Sequence, residues 1–135
     1  MSTPDLEIEK AIANRYNDNS SESNALKAAI TDFSSYETST ADDDYVTFRF
    51  INGTPDRTFT TIIENCLFQF DILSLGLLTC KQIAGLVMTV FDDYQLNLSE
   101  YSCIWLRRTN NRHLGKQELT NLHHYYIEYR IMVDK

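Results

Sequence analysis

Residues 122–133 constrain the fold more than any other part of the chain. Tyr125, Ile127, Tyr129, Ile131 and Val133 alternate strictly with His124, Tyr126, Glu128, Arg130 and Met132. Successive side chains of a strand point to opposite faces, so this period of two predicts one long antiparallel strand with one face in a core. The other face must be wet or covered by a partner.

Other segments offer neighbours for that strand. Residues 62–73 read as a central strand, with Ile62, Cys66, Phe68, Phe70 and Ile72 on one parity. Residues 45–51 alternate, placing Val46, Phe48 and Phe50 together. Asn52-Gly53 predicts a turn after them, which Pro55-Asp56 extends into a loop. A short strand is expected at 33–38, and Asp42-Asp43-Asp44 marks a solvated bend. Residues 101–109 form a further strand, with Ile104 and Leu106 opposite Cys103 and Trp105, and 110–116 read as a loop.

Helical signals occupy the remainder. Thr3-Pro4 opens a helix, with Thr3 as the expected cap and Pro4 at the first helical position. Ile8, Ala11, Ile12 and Tyr16 make its buried stripe. After the turn-rich 17–21, Ser23 or Asn24 is the expected cap of a short helix carrying Leu26 and Ile30. Thr79 and Gln82 fit a capping box, followed by the stripe Ile83, Leu86, Val87, Val90 and Phe91. The order predicts an α+β fold, a mainly antiparallel sheet with helices packed on one face.

At 135 residues the chain suits a single domain spanning 1–135. Twelve basic side chains against nineteen acidic give a net charge of −7, which argues against a general nucleic-acid binder. The charge is uneven. Residues 1–100 carry six basic and sixteen acidic groups, and residues 101–135 carry six and three. An acidic and a basic side would suit head-to-tail self-association. No apolar run approaches the roughly 18 residues of a membrane span, so no membrane partner is expected. Cys66, Cys80 and Cys103 are an odd set without a C-x-x-C pair, as expected of reduced thiols.

Candidate chemistry is sparse. His123 and His124, as strand neighbours, point to opposite faces and cannot share a metal with each other, and His113 stands apart in sequence. Asp42-Asp43-Asp44 and Asp92-Asp93 match no calcium loop. Glu64, Asp71 and Glu128 have no informative spacing. Cys80 and Cys103 lack a basic setting, and Ser99 and Ser102 lack a nucleophile elbow. With four glycines and no phosphate-loop motif, no cofactor, metal or catalytic set is assigned, and the chain is not expected to be an enzyme. Arg107, Arg108, Arg112 and Lys116 form a basic patch near Tyr101 and Trp105, suited to an acidic protein surface.

The order of elements resembles the tail terminator (tail completion, head–tail joining) proteins of long-tailed bacteriophages. The residues that carry the likeness are the N-terminal helix, the segment containing Tyr36, Tyr45-Val46-Thr47-Phe48, Phe68-Gln69-Phe70-Asp71-Ile72, and the helix from Ile83 to Phe91. Arg107-Arg108 and the closing run from His124 to Ile131 complete it. Where that family usually has proline before the first long strand, this chain has Asp44.

The resemblance implies a structural virion protein, assembled in the host cytoplasm. It would form a homo-oligomeric, six-membered ring on the tail tube protein, meet a neck or head-completion protein, and let DNA pass without specific binding. Within that reading Asp42, Asp43, Asp44, Glu22 and Glu37 are expected to face the lumen or a neighbour. Arg107, Arg108 or Arg112 would bridge to a neighbouring subunit or adjoining ring. The alternatives are another neck component, such as a head-completion or stopper protein, or a small ligand-binding or hydrolytic α+β domain.

Overall fold

A computed structural model describes residues 3–35, 44–57 and 62–134. The elements run α1 (Pro4–Asn17), α2 (Ser21–Ala29), β1 (Asp32–Ser35), β2 (Tyr45–Arg57), β3 (Ile62–Ser74), α3 (Leu77–Phe91), β4 (Ser102–Lys116) and β5 (His123–Asp134). The five strands form one sheet in the order β1-β2-β3-β5-β4. Only the short β1–β2 pairing is parallel, and the other three are antiparallel. All three helices lie on one face, the α+β arrangement that the periodicities predict.

The core follows those periodicities. Cys66, Phe68, Phe70 and Ile72 of β3 and Ile127, Tyr129, Ile131 and Val133 of β5 are all buried, facing Ile83, Val87, Val90 and Phe91 of α3. Ile8, Ala11 and Ile12 of α1 and Leu26 of α2 close the layer. Phe70 is the hub of the aromatics. Its ring centroid lies 4.7 Å from Phe91, 5.6 Å from Phe68 and 5.7 Å from Tyr129, the last two edge-on. Edge-on contact aligns the positive rim of one ring with the negative face of the next.

Several local expectations are corrected. Asn52-Gly53 is not a turn; β2 continues through it to Arg57, with a register shift between Phe50 and Asn52. A bulge admits the extra residue, and glycine suits Gly53 for a packing reason. A Cβ there would stand 3.2 Å from the Phe50 ring and 3.4 Å from Cys66 Sγ. Residues 110–116 are not a loop but the second half of β4. Three register shifts, at Ile104, Thr109 and Leu114, break the alternation of β4 and hide it from a period-two reading. The shift at Ile104 puts Cys103 and Leu106 on the core face, leaving Ile104 exposed, where strict alternation pairs Ile104 with Leu106. Gly115 takes φ 102°, a left-handed conformation that favours glycine, at the last of these shifts.

Helix starts also differ. Thr3 is the N-cap of α1, but its side chain makes no capping hydrogen bond. Instead its carbonyl accepts from Glu7 N. α2 is capped by Ser20, whose hydroxyl oxygen accepts from Ser23 N at 3.2 Å, rather than by Ser23 or Asn24. Ser23 is buried and donates its hydroxyl to Arg15 O. α3 begins at Leu77 after Gly76, two residues before Thr79, so the expected capping box lies inside the helix. β1 is described over Asp32–Ser35, and residues 36–38 of the strand expected at 33–38 lie outside the described residues.

Candidate interface surfaces

With the helices on one face, the even-numbered residues of β5 project from the other. Cross-strand pairing builds this open face. Arg107 stands opposite Arg130, Trp105 opposite Met132, Asn110 opposite Glu128 and Arg112 opposite Tyr126. β3 adds Leu67 opposite Arg130, Gln69 opposite Glu128 and Asp71 opposite Tyr126. Arg107 and Arg130 are exposed, and among the described residues neither forms an ion pair with a carboxylate. The Arg107 guanidinium lies over the Trp105 ring, 4.6 Å from its centroid. Asn110 Nδ2 donates to the Tyr126 hydroxyl at 2.7 Å.

Deeper on this face Asp71 is 4% exposed. Its Oδ1 meets His124 Nε2 at 2.7 Å and accepts from Gln69 Nε2 at 2.8 Å. Its Oδ2 lies 3.7 Å from Arg49 Nε, an ion pair too long for a hydrogen bond. The carboxylate is thus held by three side chains drawn from β2, β3 and β5.

Arg108 points the other way. It stands opposite Tyr129, on the helix-covered face. Its guanidinium is 3.3 Å from Asp92 Oδ2 and donates to Asn111 Oδ1 at 3.2 Å. Asp92 also accepts from the Tyr129 hydroxyl at 2.6 Å. Burial and then this bond to Asp92 hold the Tyr129 phenol protonated well beyond its usual range. Arg108 thus has charged and polar partners within its own subunit. The two arginines adjacent in sequence serve different faces, and only tertiary pairing separates them.

The far end of β4 carries Lys116 opposite His123. His113 and His123, ten residues apart in sequence, meet there with Nε2 and Nδ1 3.3 Å apart and centroids 5.4 Å apart. The sequence alone gave no signal for this pair, because it depends on the β4–β5 register. Among the described residues no three His, Cys, Asp or Glu side chains converge as a metal set. No helix among them is long and apolar enough to cross a membrane.

The acidic candidates are dispersed. Glu22 is exposed on α2. Asp44 is half-buried, its Oδ1 accepting from the Ser74 hydroxyl and its carbonyl accepting from Thr31 N. Asp44 takes φ 46°, which a proline ring, locked near φ −65°, cannot adopt. Proline could therefore not stand here with this backbone turn into β2. Glu37, Asp42 and Asp43 lie outside the described residues.

The three cysteines are buried and unpaired with one another. Burial pushes the Cys66 thiol up to about 12 and the Cys80 thiol to about 11, and it raises Cys103 as well. Such thiols are poor nucleophiles, because the reactive form is the thiolate.

Comparison with known proteins agrees with this architecture. The model of the family described as tail completion protein gp17 matches residues 20–134. A chain from the virion of a native gene transfer agent particle has the same fold, with a TM-score of 0.80. At 14% identity, the match covers 99% of this chain and 100% of that one. No curated protein matches the sequence. With the family match extending from the turn before α2 to the end of β5, the chain belongs to the tail completion protein gp17 family, whose members are structural tail proteins rather than enzymes.

Proposed function

We propose that the chain is the subunit of a ring that completes a phage-like tail. The ring sits on the last ring of tube protein, meets a neck or head-completion protein on its other side, and leaves a passage for DNA. The 135 residues act as one unit, assembled in the host cytoplasm and carried in the virion.

The observation that carries this reading is the family match over 20–134. Physical support comes from the distribution of charge. Rings of identical subunits need two unlike, complementary surfaces on each copy. Here Arg107, Arg112 and Arg130 stand at open-face positions of the sheet, while half of the described carboxylates, Glu22 among them, belong to the helices and their connections. The fold likeness to a chain of a gene transfer agent virion is compatible with a place in such a particle.

Electron microscopy of the purified protein mixed with tail tubes tests the proposal. Six-fold rings at one tube end, and tubes of defined length, are expected. Tubes that stay uncapped and keep growing in its presence would refute it.

A further inference from the structure

Arg107 and Arg130 are directly opposed on neighbouring strands of the open face, both exposed. Like charges so placed repel, and among the described residues no carboxylate forms an ion pair with either, although Glu128 shares the face two residues from Arg130. The pair makes this part of the face favourable to an acidic partner. Its surroundings are those of a protein contact rather than a bare charge. Trp105 lies beneath Arg107, and Met132, Tyr126 and Leu67 flank the pair, all partly exposed. Aromatic, methionine and arginine side chains are the types enriched at the centres of interfaces.

The molecule carries the complement. Residues 3–30 and 77–100, which hold all three helices, contain eight carboxylates against four cations. Asp5, Glu22 and Asp93 are exposed there. Two open faces packed with these arginines in register would set arginine against arginine. A helix layer against an open sheet face brings opposite charges together and is heterologous, the kind of contact that propagates around a ring.

We infer that the open face of the sheet, centred on Arg107, Arg130 and Trp105, docks onto the acidic helix layer of a second copy of this chain. The inference rests on the ring reading for its setting and names the surfaces that reading needs. Passing DNA is the less favoured occupant, since the chain carries −7 overall.

The test is the double variant R107E/R130E. Self-association is read by sedimentation across concentration and by microscopy on tail tubes. Circular dichroism and thermal midpoint should match the parent, because both side chains are exposed. Association should weaken by at least about tenfold, and E22K added in a separate chain should restore part of it on mixing. Rings that form normally with R107E/R130E overturn this contact but leave the ring. Self-association lost in the variant, yet closing into something other than a ring in the parent, keeps the contact and overturns the ring. Normal rings that lose only DNA passage would assign the face to DNA and overturn the inference.

Discussion

His113 and His123 face each other across β4 and β5, with Nε2 of one 3.3 Å from Nδ1 of the other. One ring must donate and the other accept, so at least one imidazole is neutral. Burial first, then His123, Lys81 and His124, hold His113 below its ordinary 6.5. The folded state therefore prefers the neutral ring. Stability is fully present above about pH 6.5 and falls as the pH drops through the lowered value. The thermal midpoint should decline between pH 7 and 5.5, and His113→Gln should flatten that decline. An unchanged slope in the variant would remove His113 from the account.

Glu7 predicts a second, separate acid step. Its buried carboxylate accepts from Ser99 N at 2.8 Å, Ser99 Oγ at 3.1 Å and Glu100 N at 2.9 Å, tying α1 to the segment before β4. Burial alone would raise its pKa, but the backbone donors of Glu100 and Ser99 outweigh it and the net direction is down. This stability is present above about pH 4.5 and lost below it. Glu7→Ala leaves those donors unmatched and should cost about 2–3 kcal/mol in denaturant unfolding. It should also remove the step below pH 4.5.

Phe70→Ala should be among the most damaging single changes. The ring is fully buried and touches aromatic neighbours from β2, β3, α3 and β5. Truncation removes that contact and leaves a cavity, at about 3–5 kcal/mol. Phe70→Leu should cost less. Equilibrium unfolding in guanidinium measures both.

The thiols should be silent in the native protein. Cys66, Cys80 and Cys103 are buried, and burial raises all three pKa values. A disulfide-exchange reagent at pH 8 should titrate none of them rapidly, and three after denaturation. A fast native equivalent would mean that one of these sites opens.

Arg108 differs from its neighbour in a way that mutation can expose. Arg108→Glu sets a carboxylate beside Asp92 and should lower monomer stability by about 1 kcal/mol, the range of a partly exposed pair. Arg107→Glu should leave monomer stability unchanged or slightly raised, since it relieves the opposition to Arg130. Side-by-side thermal melts decide this.

Much of the fold is legible because burial on one side writes a period into the chain. The alternation of β5, the single-parity apolar set of β3 and the stripes of α1 and α3 each encode a buried face locally. The second half of β4 was not legible. Its shifts at Ile104, Thr109 and Leu114 break the alternation, and its polar residues read as loop.

The sequence by itself thus determined most of the core residues of α1, α3, β3 and β5, that a sheet is backed by helices, and that charge is divided along the chain. Only the tertiary structure decided that Arg107 opposes Arg130 while Arg108 reaches Asp92, that His113 meets His123, and that Asp71 is gripped by three strands' side chains. The physical reason is that hydrophobic period is a local property, whereas register is not. It depends on where bulges fall and on how partners far apart in sequence align, and it decides which charges share a face.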